Sequence, residues 1–112
     1  MIRFDGYYIF KPDLFQERIE WDPQYFFKAY MFLENGKMII STKLIEDENS
    51  PVFSLEDFQN DNSSHCYFIN NNEMYYLYKC EKDGYKFYHD IISDREIVYR
   101  ESGDKIKFTP WI

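Results

Sequence analysis

The sequence predicts a mainly β fold: an eight-stranded antiparallel up-and-down barrel with one or two short helices. Three observations carry that expectation. Eleven Tyr and eleven Phe among 112 residues supply large rings that pack best on a pleated surface against cross-strand neighbours. The stretch from His65 to Ile112 reads as aromatic runs broken by NNN, KDG, SDRE and SGD, a strand–turn–strand signature repeated over five strands. Asn35-Gly36 lies between two further apolar runs and is the strongest short hairpin signal, since a type I′ turn needs positive φ at both centres. A meander of this length avoids exposed edges by closing on itself; an open, curved half-barrel is the alternative. The length fits a single domain over 1–112, large enough to bury a core without disulfide or metal staples.

Arg3 to Lys11 is the first strand, stopped by Pro12. Asp13 with Gln16 three residues on has the form of a capping box, so DLFQERIEW is expected to be a short helix ended by Pro23. A two-residue turn at Asn35-Gly36 pairs Glu34 with Lys37, Met31 with Ile40 and Ala29 with Thr42. It gathers Phe27, Ala29, Met31, Leu33, Met38, Ile40 and Leu44 on one buried face, leaving Tyr30, Phe32 and Ile39 on the wetted one. Residues 45–51 are polar and aperiodic, hence a loop. Ser54 then has the position of an N-cap, with Glu56 and Asp57 in the first turn of a helix from Leu55 to Asn60.

In the C-terminal meander, a two-residue turn at Asn71-Asn72 sets Tyr67 opposite Tyr76 and His65 opposite Tyr78. Another at Asp83-Gly84 sets Tyr78 opposite His89, Tyr76 opposite Ile91 and Cys80 opposite Phe87. These registers place His65, Tyr67, Ile69, Met74, Tyr76, Tyr78, Cys80, Tyr85, Phe87, His89 and Ile91 on the interior face. Ile97, Tyr99, Ile106 and Phe108 share the inner face of the last pair, with Arg100, Lys105 and Lys107 opposite.

Several motifs taken together bear a resemblance: Asp5-Gly6-Tyr7-Tyr8, the hairpin Tyr30 to Thr42, the helical crossing, Tyr67 to Met74, and the closing Gly103 to Trp111. In this order the chain resembles small, mostly uncharacterised bacterial proteins with a lipocalin-like (calycin) barrel. The pattern departs in using Asn-Gly where that family has Asp-Gly, in lacking a Gly before Tyr67, and in the long insertion at Asp13–Pro23. The resemblance implies the fold and no catalytic residues.

The net charge of −7 disfavours nucleic acid and anionic membranes, which need clustered Lys and Arg, and favours a basic protein partner. No leader and no long apolar span is visible, and Cys66 and Cys80 lack metal-ligand spacing. They are expected to be free thiols on opposite faces in a cytoplasmic, non-membrane protein, monomeric or dimeric. Two sites stand out. A row His65–Tyr78–His89, with Tyr67, Tyr76 and Tyr99, could take a small apolar or aromatic ligand in the interior. Glu46, Asp47, Glu48, Glu56 and Asp57, with the outward aromatics Phe68, Tyr75 and Tyr88, offer a mixed surface for a protein. No metal, cofactor or catalytic constellation is expected, and the protein is read as a non-enzymatic acidic binding module of the immunity or inhibitor type. A small-molecule carrier is the alternative.

Overall fold

The computed structural model describes residues 2–15, 24–46, 49, 51–59 and 64–111. Its strands are β1 (Gly6–Phe10), β2 (Asp13–Phe15), β3 (Gln24–Phe32), β4 (Lys37–Ile45), β5 (Ser64–Asn70), β6 (Glu73–Leu77), β7 (Lys86–Ser93), β8 (Glu96–Tyr99) and β9 (Lys105–Pro110). Helix α1 (Leu55–Gln59) crosses from β4 to β5, and a 3-10 turn (Tyr78–Cys80) follows β6. All ladders are antiparallel. β1 pairs with β9 from Gly6↔Pro110 to Phe10↔Ile106 and with β3 through Tyr8↔Tyr30. The sheet therefore closes on itself, and β1 with β3–β9 makes the expected eight-stranded up-and-down barrel. Gly6 sits at the seam because a Cβ there would lie 2.2 Å from the Thr109 carbonyl oxygen.

β2 continues the course of β1 along β3, pairing Asp13 with Phe26 and Phe15 with Gln24. The helix expected from Asp13 is thus a strand in its first three residues, and its remainder lies outside the described residues. Pro12 stops the first strand, as read from the sequence. Beyond Pro12 the chain resumes pairing because β3 offers an unfilled edge there, and that tertiary demand outweighs a local cap.

The first hairpin departs from the expected turn by one residue. Leu33 N–H donates to the Lys37 carbonyl at 2.8 Å and Gly36 N–H to the Leu33 carbonyl at 3.2 Å, with Gly36 at φ 85°. Asn35 instead uses its side-chain oxygen to accept from Lys37 N–H at 3.1 Å. With one positive-φ residue in place of two, the loop holds three residues. Phe32 faces Met38, Met31 faces Ile39 and Ala29 faces Ser41. A one-residue slip moves every partner to the other face.

The hairpin consequently feeds two cores. Tyr30, Phe32, Met38 and Ile40 point into the barrel with Tyr8, Phe10, Met74, Ile97 and Ile106. Phe27, Ala29, Met31, Leu33 and Ile39 point outward, where Tyr7, Phe53, Phe58 and Trp111 cover them. Tyr30, Phe32 and Ile39, read as wetted, are therefore packed, while Leu44 is exposed. Helix α1 provides the cover. Ser54 N–H donates to Asp57 Oδ2 at 2.7 Å and Asp57 N–H to Ser54 Oγ at 3.3 Å, a reciprocal cap that fixes its start as expected. Lys43 Nζ holds Asp57 at 3.0 Å and the Val52 carbonyl at 2.9 Å, tying the helix to β4.

The meander of β5–β9 follows the expectation at both ends. Asn71 takes φ 57°, and Tyr67↔Tyr76 and Ile69↔Met74 pair as read. Ile97, Tyr99, Ile106 and Phe108 share the interior. In the middle, the Asp83-Gly84 register is overturned: Tyr76 faces Phe87 and Leu77 faces Lys86. Strand β6 stops at Leu77, where Lys79 and Cys80 turn the chain with φ of 51° and 56°. Tyr78, Cys80 and Tyr85 leave the interior set for that reason, with Tyr78 and Tyr85 exposed, and Ile69 is exposed as well. The same turn brings Cys80 back to β5, where it forms a disulfide with Cys66 across a Cα–Cα distance of 5.0 Å. The free thiols expected from strict strand alternation are thereby corrected.

Candidate functional site

The interior polar cluster forms around Tyr76. Inward alternation on β5, β6, β7 and β8 places His65, Tyr76, His89 and Tyr99 on one wall, and β3 adds Tyr30 from across the barrel. Tyr76 rather than Tyr78 stands between the imidazoles, with ring centroids 5.3 Å from His65 and 5.9 Å from His89. Tyr99 lies 5.1 Å from His89. Tyr67 shares the interior but donates its hydroxyl to the Leu33 carbonyl. Tyr78, 42% exposed, lies tilted against the His65 ring with centroids 5.2 Å apart. Tyr30 was missed by sequence reasoning because the hairpin register had turned it outward; the signal lay in Asn35, whose side chain caps the turn.

Hydrogen bonds fix the tautomers. His89 Nδ1 lies 3.1 Å from the Phe87 carbonyl, which only accepts, so Nδ1 carries the proton. Nε2 is then an acceptor, and the Tyr30 hydroxyl, 3.2 Å away, donates to it. His65 Nδ1 accepts from Lys79 N–H at 2.8 Å. Burial lowers the His89 pKa to about 4, against the Phe87 hydrogen bond that would raise it. Burial pushes Tyr76 up to about 12 and Tyr30 well above its ordinary value, with Tyr76 adding to the effect on Tyr30. Tyr99 also rises to about 12 through burial and the Glu101 carboxylate, which accepts its hydroxyl at 2.8 Å. At neutral pH His89 is therefore neutral and the Tyr30, Tyr76 and Tyr99 hydroxyls keep their protons. The surrounding rings are close: Tyr8–Phe32 5.4 Å, Phe10–Tyr30 5.0 Å, Phe32–Tyr67 5.0 Å and Tyr76–Phe87 4.6 Å.

The outer face of β5–β7 carries the second set. Phe68, Tyr75 and Tyr88 stand side by side across three strands, with centroids 5.0 and 5.4 Å apart. Phe68 is 46% and Tyr88 42% exposed. Lys86 Nζ lies 5.2 Å from the Tyr75 ring and Arg100 Cζ 5.8 Å from that of Tyr88. Arg100 is itself held by Asp90 at 2.6 Å and Glu73 at 3.1 Å, which lowers the Asp90 pKa chiefly through the hydrogen bond. Beside this row opens a groove of about 710 Å³, lined by Asp83, Tyr85, Lys86, Tyr88, Arg100 and Glu101, among others.

The acidic residues grouped with these aromatics in the sequence lie elsewhere. Glu56 and Asp57 are on α1, over the outside of β3 and β4, and Glu46 follows β4. Asp57 is engaged by Lys43 and Ser54. Asp47 and Glu48 lie outside the described residues. Among the described residues no three His, Cys, Asp or Glu side chains gather as a metal site, and no helix is long and apolar enough to cross a membrane. Compared with protein families, curated proteins and solved structures, the chain matches none of them.

Proposed function

We propose that the protein is a non-enzymatic binding module that docks a basic protein through the outer face of β5–β7. The observation carrying this reading is the row of exposed Phe68, half-buried Tyr75 and exposed Tyr88 beside a groove lined by charges of both signs. Aromatic side chains that a partner can desolvate are the usual anchors of interfaces. In the groove Asp83 and Glu101 balance Lys86 and Arg100, and at its rim Glu73 and Asp90 both pair with Arg100, so the negative bias a basic partner would meet comes from these rim carboxylates and the chain's net charge of −7. That bias favours Lys or Arg on the partner and raises its association rate at low salt. The closely packed interior rings weigh against the small-molecule carrier. A cytoplasmic location and kinship with the bacterial lipocalin-like proteins belong to the same reading. In a reducing cytoplasm a disulfide is transient, so Cys66–Cys80 would there be a reversible bond.

A photo-crosslinking amino acid placed at Ile92, exposed on the outside of β7, tests the docking face, with the same group at Glu56 reporting on α1. In cells of the source organism, position 92 is expected to capture a protein rich in Lys and Arg. Tyr88→Ser together with Phe68→Ser is expected to abolish the adduct while leaving the thermal midpoint within a few degrees. Capture from position 56 alone, or from neither position, would refute it.

A further inference from the structure

We propose that Cys66–Cys80 is a site of reversible thiol–disulfide exchange that switches the turn after β6 while the barrel stays closed. Cys66 pairs with Leu77 across the β5–β6 ladder. Were β6 to run on as a strand, Cys80 would lie three residues beyond Leu77, about 10 Å along the strand. A disulfide needs its Cα atoms within about 7 Å. The bond, with Cα atoms 5.0 Å apart, can therefore exist only when the chain doubles back, and it does so through two consecutive left-handed residues, Lys79 and Cys80. Neither is a glycine, and side chains make that conformation unfavourable. The disulfide and the turn thus require each other.

The switch is local by construction. The turn contributes no side chain to the inner cluster of rings. Its other ties are the Tyr78 ring against His65 at 5.2 Å and single hydrogen bonds: Lys79 N–H to His65 Nδ1, Tyr78 N–H to the Tyr85 carbonyl at 3.0 Å, Glu81 N–H to the Tyr78 carbonyl at 3.1 Å and Gly84 N–H to the Glu81 carbonyl at 2.9 Å. The β6–β7 register already points to the alternative form. Extending it past Leu77↔Lys86 puts Tyr78 opposite Tyr85 and Cys80 opposite Asp83, closing a hairpin over Glu81-Lys82. Cys80 is itself only half-buried and is flanked by the exposed residues Lys79 and Glu81, on a turn outside the barrel interior where a reductant can approach.

The chemistry is exchange with a dithiol. A thiolate of the reductant attacks Cys80 Sγ, the protein S–S bond breaks, and Cys66 leaves as a thiolate. The second thiol of the reductant displaces Cys80 and closes the reductant's own disulfide. Two electrons pass to the protein, and its two sulfurs take up the protons that the dithiol loses. The exchange requires no protein bound to the outer face of β5–β7.

The test uses the ¹⁵N-labelled full chain, oxidised, reduced with dithiothreitol, and reoxidised. A dispersed barrel spectrum is expected throughout, with shifts confined to 64–66 and 78–85. Amide exchange at Lys79 is expected to rise by about tenfold or more on reduction and to recover on reoxidation. The Cys66→Ser/Cys80→Ser double variant is expected to reproduce the reduced spectrum. Collapse of the barrel on reduction, an unchanged turn after reduction, or a bond that dithiothreitol leaves intact in the folded protein would each overturn the proposal.

Discussion

Acid is expected to find this protein's weak point at His89. The imidazole is fully buried, neutral, and held as the Nδ1–H tautomer between the Phe87 carbonyl and the Tyr30 hydroxyl. Its pKa is about 4 in the folded chain against an ordinary 6.5. The folded state therefore binds the proton less well than the unfolded state, and the associated stability is full above 6.5 and lost as pH falls toward 4. Linkage converts that difference into about 2 kcal/mol lost between pH 7 and 5 and about 3 kcal/mol by pH 4. The carboxylates with lowered values (Asp5, Asp57 and Asp90) titrate below their ordinary 3.8, so pH 5 isolates the histidine from them. Urea unfolding at pH 7 and pH 5 measures the loss, and His89→Gln supplies an amide that does not titrate. Whatever the variant costs at pH 7, its stability should change by about 2 kcal/mol less than that of the parent. Equal losses in parent and variant would refute the assignment of a buried neutral imidazole.

Three further outcomes rest on packing and covalent geometry. Gly6→Ala should destabilise by about 1–3 kcal/mol or more in urea unfolding, since the added carbon meets the backbone of Thr109 and Pro110 at 2.2 and 2.7 Å. Phe58→Ala should cost about 3–5 kcal/mol, because a fully buried ring leaves the outer core between α1 and β3. Its near-ultraviolet dichroism should report a changed setting for Trp111, whose ring lies 5.9 Å away. Cys66→Ser with Cys80→Ser should lower stability by at most about 3 kcal/mol, the loop-closure value for a cross-link of separation 14, partly offset by release of the left-handed residues.

How much of this was legible depends on where local chemistry and long-range demand agree. The closed barrel, the five-stranded meander and the cap at Ser54 come from alternation, turn residues and one capping pair, and each survives folding unchanged. The two hairpins that went astray do so for different reasons. At Asn35 a side-chain oxygen satisfies Lys37 N–H, so the turn takes three residues where its dipeptide advertises two. At Gly84 the glycine serves close approach to the Tyr78 carbonyl, where a Cβ would come within 2.8 Å. Its requirement is space, and a sequence does not distinguish that from a need for positive φ. The disulfide was hidden behind the same error: strict alternation puts Cys66 and Cys80 on opposite faces, and only the break after Leu77 reunites them. For the candidate sites, parity proved more durable than register. His65, Tyr76, His89 and Tyr99 converge although Tyr76 faces Phe87 in place of the expected Ile91, since an even displacement keeps a side chain on its own face.

The seam between β1 and β9 shapes how this molecule comes together in time. Other ladders join segments near one another along the chain, whereas Gly6↔Pro110 closes almost its whole length. Hairpins can zip in succession from β3 to β9, but the seam must await the arrival of both flanks and bears the largest loop-closure entropy. Contacts made that late are expected to be missing from the folding transition state, which folding and unfolding rates of Gly6→Ala would test. Weakening them therefore speeds unfolding and leaves the folding rate nearly untouched. The strand pair that makes this sheet a barrel is thus also the latch that governs how long the barrel stays shut.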